Sequence, residues 1–166
     1  MERGKRNKML YLILILGAVA CYAVAQKGIF GAKLTPELEA MITMKANKYD
    51  LSPALVKAVA RKESGFNTRA KNPNDPSYGL MQVTPALAYD YGLILHYKDL
   101  TQEEINKIYN VQNNLEVACW FMKKLHDKYN FDEAVQMYNT GEAGYEAGVR
   151  ATYYLKKVKE FFHEYS

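Results

Sequence analysis

The stretch LSPALVKAVARKESGF, residues 51–66, decides how the chain is read. Ser52-Pro53 is a helix start, with a capping hydroxyl before a proline whose missing N–H costs nothing in the first turn. Leu51, Leu55, Val56 and Val59 recur at helical spacing, and Gly65 supplies the stop, since glycine adopts the left-handed conformation that ends a helix. The spacing therefore predicts a helix whose last turn carries Glu63. An acid there faces the negative end of the helix dipole, which disfavours the carboxylate. Local rules broken by a charged residue point to function. Together with an apolar wall from Phe66, Leu80 or Met81, the dipole would raise the pKa of Glu63 towards that of a general acid. The plainer alternative is a surface glutamate paired with Arg61 or Lys62.

Outward from this helix the chain reads as almost entirely α. Thr35-Pro36-Glu37 starts an earlier helix that runs to about Tyr49. Residues 67–76 are rich in Asn, Pro and Asp and read as a loop, followed by a compact irregular segment, 77–83, with room for a small two- or three-stranded element. Thr84-Pro85 opens a brief helix ended by Gly92, and Thr101 to Glu104 forms a capping box. Val111, Leu115, Ala118, Phe121, Met122 and Leu125 mark the inner face of a longer helix. Asp132 can cap a helix carrying Ala134, Val135 and Tyr138, and a final amphipathic stretch from about Gly148 to Tyr165 turns Tyr154, Leu155, Val158 and Phe161 or Phe162 inward.

The N-terminus has a different character. Arg3, Lys5, Arg6 and Lys8 precede an uncharged run from Met9 to Ala25, about 26 Å long as a helix. That length suits a short membrane anchor or a signal segment, and Ala23-Val24-Ala25 has the small-x-small form of a cleavage site. Either way the basic cluster stays in the cytoplasm and the rest faces outward. The expected organisation is 1–26 anchor or signal, 27–34 linker and 35–166 catalytic domain. The net charge of +4 is carried mostly by the leader, with four Lys/Arg against one Glu through Ala25. The nearly neutral remainder lacks the concentrated basic face that a nucleic-acid partner requires. Cys21 lies in the leader and Cys119 in a helix, so no disulfide is expected. His96, His126 and His163 are too scattered for a zinc site.

Three ordered segments sharpen the reading: Glu63-Ser64-Gly65-Phe66, Tyr78-Gly79-Leu80-Met81-Gln82-Val83-Thr84-Pro85, and Met137-Tyr138-Asn139-Thr140-Gly141. With Ala54 to Ala60 and Asn114-Leu115, they make the chain resemble lytic transglycosylases of the soluble-lytic-transglycosylase (SLT) type and, more distantly, goose-type lysozymes, from about Leu34 to Val158. The resemblance implies a mostly α, lysozyme-like domain acting on peptidoglycan glycan strands without metal or organic cofactor. It implies that Glu63 protonates the bond between N-acetylmuramic acid and N-acetylglucosamine and later serves as base. The muramic acid's own 6-hydroxyl then attacks, giving a 1,6-anhydro end. By the same resemblance Ser64 orients the acid or the sugar. Gly79, Leu80, Met81 and Gln82 form the cleft floor, with Gly79 admitting the glycan and Met81 packing on a sugar. Tyr138 hydrogen-bonds Glu63, Asn139 holds a substrate amide and Tyr154 lies near the cleft. Arg150-Ala151 departs from the Glu-Thr pair common in the family, and Met137 and Ala118 replace the usual Ala and Gly.

Two rival readings stand beside this one. The first is a hydrolytic muramidase in which Asp75 or Asp90 positions a water, since glycosidases generally use two carboxylates. The second is a non-catalytic glycan-binding component of a secretion, conjugation or phage-entry machine.

Overall fold

A computed structural model describes residues 33–166, so the Met9–Ala25 segment lies outside the described residues. Among those described, eight helices follow in order: α1 Pro36–Lys48, α2 Pro53–Ser64, α3 Pro85–Tyr91, α4 Gln102–Tyr109, α5 Val111–His126, α6 Phe131–Thr140, α7 Glu142–Glu146 and α8 Thr152–Tyr165. None is long and apolar enough to cross a membrane.

Most boundaries come from local chemistry. The Thr35 hydroxyl accepts from the Leu38 amide at 3.2 Å and Thr84 does the same for Leu87, while Thr101 and Glu104 close a reciprocal capping box at α4. Two boundaries differ from expectation. The cap of α6 is Asn130, boxed with Glu133, and Asp132 sits inside the first turn, where its carboxylate pairs with Lys159 of α8 at 2.7 Å. Asn130 reaches the donor three residues on, which a side chain at the second helical position cannot do. The final stretch, expected from about Gly148, becomes helical only at Thr152, because Gly148 takes φ +93° in the turn before it, and a separate short α7 precedes that turn. The small β element reduces to two antiparallel bridges, Lys71 with Tyr78 and Tyr78 with Val83.

Helix α2 packs most extensively on α8 and also on α1, while α5 is flanked by α1, α3, α4 and α6. From Asn114 to Cys119 every residue of α5 is buried, so the helix is enclosed on all faces rather than amphipathic. That enclosure buries Glu116, which is met by Lys45, Lys48 and the hydroxyls of Tyr49 and Tyr91. Burial alone would raise its pKa, but the hydrogen bonds from Lys45, Lys48 and Tyr49 outweigh it and hold the carboxyl down at about 2.

Candidate active site

Helix α2 ends where the sequence places the stop. Gly65 is left-handed at φ +58° and its N–H returns to the Arg61 carbonyl at 3.0 Å. Phe66 follows at φ +67°, a conformation costly for a residue with a Cβ. Two successive left-handed residues turn the chain sharply away, leaving Glu63 on the wall of a cavity of about 560 Å³. Neither expected cation neutralises it: Arg61 pairs with Glu164, and Lys62 lies over the Tyr154 ring, 5.1 Å from its centroid. Phe66 turns its ring edge-on to Tyr165 of α8. Burial raises the Glu63 carboxyl to about 7 against the opposing pulls of the Tyr154 hydrogen bond and the Lys62 charge. Such a group is half protonated near neutral pH, as a group that must first give and then take a proton requires.

Two tyrosines stand near this point, and one of them bonds the acid. Tyr154, reached from α8, donates to Glu63 Oε1 at 2.6 Å. Tyr138 was the expected partner, but its hydroxyl donates to the Met81 carbonyl at 2.9 Å. The reason is tertiary: α8 lies against α2 and brings Tyr154 directly onto the acid, whereas α6 brings Tyr138 onto the loop backbone. Both phenols are pushed well above their ordinary pKa, chiefly by burial and then by the charge of Glu63, so both remain hydrogen-bond donors.

The segment 77–83 supports the cleft from beneath. The Leu80 and Met81 side chains are wholly buried, so neither packs on a sugar. Gly79 has a different duty from admitting glycan: a Cβ there, at φ +79°, would stand 2.7 Å from Nδ2 of Asn114. Asn114 is fully buried, accepts from the Met81 N–H at 2.8 Å and donates to the carbonyls of Tyr78 at 2.8 Å and Ile108 at 3.0 Å. It is the pin of the loop. The sequence signal was a polar residue beside Leu115 on the inner face of α5. Gln82, itself at φ +49°, accepts from the Ser77 hydroxyl at 2.7 Å and donates to the Gly79 carbonyl at 2.9 Å, while still lining the cavity.

Ser64 lines the same cavity, its hydroxyl donating back to the Ala60 carbonyl at 3.1 Å. Asn139 is exposed on the cleft wall and makes no side-chain hydrogen bond among the described residues, which leaves its amide available. A second cavity of about 460 Å³ continues the groove past Asp75, Gln82 and Tyr138 to Asp90 and Trp120. Trp120 was not singled out from the sequence. Its ring is set edge-on to Tyr91 with centroids 5.4 Å apart, and the Lys124 ammonium lies 4.8 Å from its centroid. A partly exposed indole fixed in this way suits the apolar face of a sugar.

Among solved structures the chain is similar to an inactive mutant of the lytic transglycosylase Slt from Pseudomonas aeruginosa, with 19% identity and a TM-score of 0.50. The match covers 76% of this chain and 22% of that one, and it is a likeness of fold. The family model described as the transglycosylase SLT domain matches residues 40–161, a span holding the Glu63 helix, the Asn114-pinned loop and both tyrosines, and the chain belongs to that family.

Proposed function

We propose that this chain is a peptidoglycan lytic transglycosylase that cleaves the β-1,4 bond between N-acetylmuramic acid and N-acetylglucosamine without water. The observation that carries the reading is the placement of Glu63 on the wall of an open groove, hydrogen-bonded by Tyr154, with its carboxyl raised by burial to about 7. Protonated Glu63 gives its proton to the bridging oxygen as the bond to C1 breaks, and the 2-acetamido carbonyl oxygen shares the charge at C1. The 6-hydroxyl of the same muramic acid then attacks C1 and returns its proton to Glu63. The acid is restored and the product is a 1,6-anhydro end. Mass spectrometry of fragments released from purified sacculi tests this directly. Anhydro ends are expected, 18 Da lighter than hydrolytic ends by the mass of one water, and reducing ends would overturn the reading.

One observation favours the hydrolytic alternative enough to test it: Asp75 lines the same cavity as Glu63. Asp75 is exposed on a loop, and its carboxylate makes no hydrogen bond or ion pair among the described residues. Asp75→Asn is therefore expected to keep turnover within about threefold of wild type. A loss of the roughly hundredfold or greater size typical of a missing acid/base group would make Asp75 a second catalytic carboxylate.

The pH profile tests the role of Tyr154. Its hydroxyl stabilises the ionised carboxylate, so Tyr154→Phe raises the Glu63 pKa further above 7. Because the first step needs the protonated acid, the alkaline limb of kcat/KM moves to higher pH, by on the order of one unit. A limb unmoved or shifted downward would remove Tyr154 from the proton's path.

The leader supports a location. With Arg3, Lys5, Arg6 and Lys8 inside and Met9–Ala25 in the bilayer, the domain would work at the outer face of the cytoplasmic membrane, on strands within reach of the short linker. From there it can open the wall for a larger envelope-spanning machine. A chain beginning at Gln26 in the soluble extracytoplasmic fraction would replace the anchor with a cleaved signal.

A further inference from the structure

A third cavity, of about 330 Å³, opens beside the catalytic one and shares Lys62 and Asn139 with it. Tyr154, whose hydroxyl holds Glu63, forms part of its wall, so whatever occupies it lies one side chain from the acid. Its charge is one-sided. Lys62 and Arg150 line it and no carboxylate does, and neither cation is in a salt bridge among the described residues. At the far end of the groove Asp90 stands beside Lys124 and Glu142 is already paired with Lys128, while Asp75 lines both that end and the Glu63 cavity.

Arg150 is not a loose surface side chain. Its guanidinium lies 3.8 Å over the Tyr145 ring, and Nη1 donates to the carbonyls of Tyr145 at 2.6 Å and Val149 at 3.0 Å. One edge of the fork is thereby fixed, leaving its other N–H groups for a partner. Beside it Tyr153 exposes 68% of its surface, so the cavity offers cations and an aromatic ring together. That combination suits an acidic peptide better than a bare carboxylate, which would use only the cations.

We infer that this side cavity, with Arg150 and Lys62 as its cations, is a subsite for the carboxylate-bearing peptide stem of the glycan strand. The inference rests on the transglycosylase reading and adds selectivity to it. Stems with free carboxylates are drawn to the side cavity next to Glu63, which favours cleavage beside such stems. Lys62 also acts on the Glu63 carboxyl, so Arg150 is the position that isolates the effect.

The test compares KM and kcat of the full chain on three preparations of one glycan: intact stems, stems with amidated carboxylates, and strands stripped of peptide that keep only the lactyl carboxylate. Wild type is expected to show a KM about fivefold lower on free than on amidated stems, the scale of one or two partly exposed charge pairs. Arg150→Glu should erase that ratio and Arg150→Lys should retain most of it, which separates charge from loss of the fixed turn. An equal ratio in wild type and Arg150→Glu overturns the inference. So does a preference for stripped strands, which would assign the cations to the lactyl group. Wild type that cleaves none of the three would strike the transglycosylase reading instead. Co-sedimentation with the same strands would then test the subsite alone, with the same ordering expected.

Discussion

Glu63→Gln is expected to fold as wild type does and to lose cleavage by about a hundred- to ten-thousand-fold, the range that general acid/base catalysis supplies. The amide keeps the shape of the side chain and can still accept from Tyr154, but it has no proton to give the leaving oxygen. Turnover within tenfold of wild type would remove Glu63 from the chemistry. The same substitution has a signature in stability. An acid whose pKa is about 7 in the folded chain and near the ordinary 4.5 when unfolded is penalised in its ionised form by folding. Below pH 4.5 both states hold the proton and nothing is lost. As pH rises from 4.5 through 7 the unfolded chain ionises first, so stability falls, and the full penalty applies above 7. Discounted for partial exposure, it is on the order of 2 kcal/mol. Glu63→Gln should therefore melt higher than wild type at pH 8 and close to it at pH 4. Parallel melting curves at both pH values would show that the burial of Glu63 carries no such cost.

Asn114→Ala is expected to have the largest effect on stability. Its amide satisfies one buried N–H and two buried carbonyls on two different segments, and truncation takes the side-chain partner from the Met81 N–H and the Ile108 carbonyl, while the Tyr78 carbonyl keeps its bond from the Val83 N–H. Each orphaned group costs about 1–3 kcal/mol. Because the two are not independent, a total of about 2–4 kcal/mol is expected, lowering Tm by roughly 6–15 °C. Asn114→Asp does not rescue it, since an ionised carboxylate accepts from Met81 but cannot donate to either carbonyl. Gly79→Ala produces a related defect from the other side by pressing a Cβ on the same amide. A thermal melt within about 2 °C of wild type for Asn114→Ala would mean that the loop over 77–83 stands without its pin.

Much of this protein was settled by adjacent residues. Thr35-Pro36, Thr84-Pro85 and the Thr101–Glu104 box start helices because the interaction that caps each one spans three residues, and Gly65 ends α2 because only local sterics are at stake. The same locality placed Glu63 in a last helical turn. The resemblance of the sequence gives Tyr138 as the partner of that acid, and the structure gives Tyr154 instead. Both tyrosines are remote along the chain, and only the packing of α8 on α2 brings Tyr154 to 2.6 Å while α6 sends Tyr138 to the Met81 backbone. The fate of Gly79 and Met81 was equally non-local: one makes room for an asparagine from α5, and the other is enclosed by the core. Periodicity reports which face of a helix is apolar, not which remote side chain arrives there. Burial and hydrogen bonds between segments far apart in sequence are decided only once helices have packed; burial raises the proton affinity of Glu63 against the pull of Tyr154, and the bonds shape the groove around it.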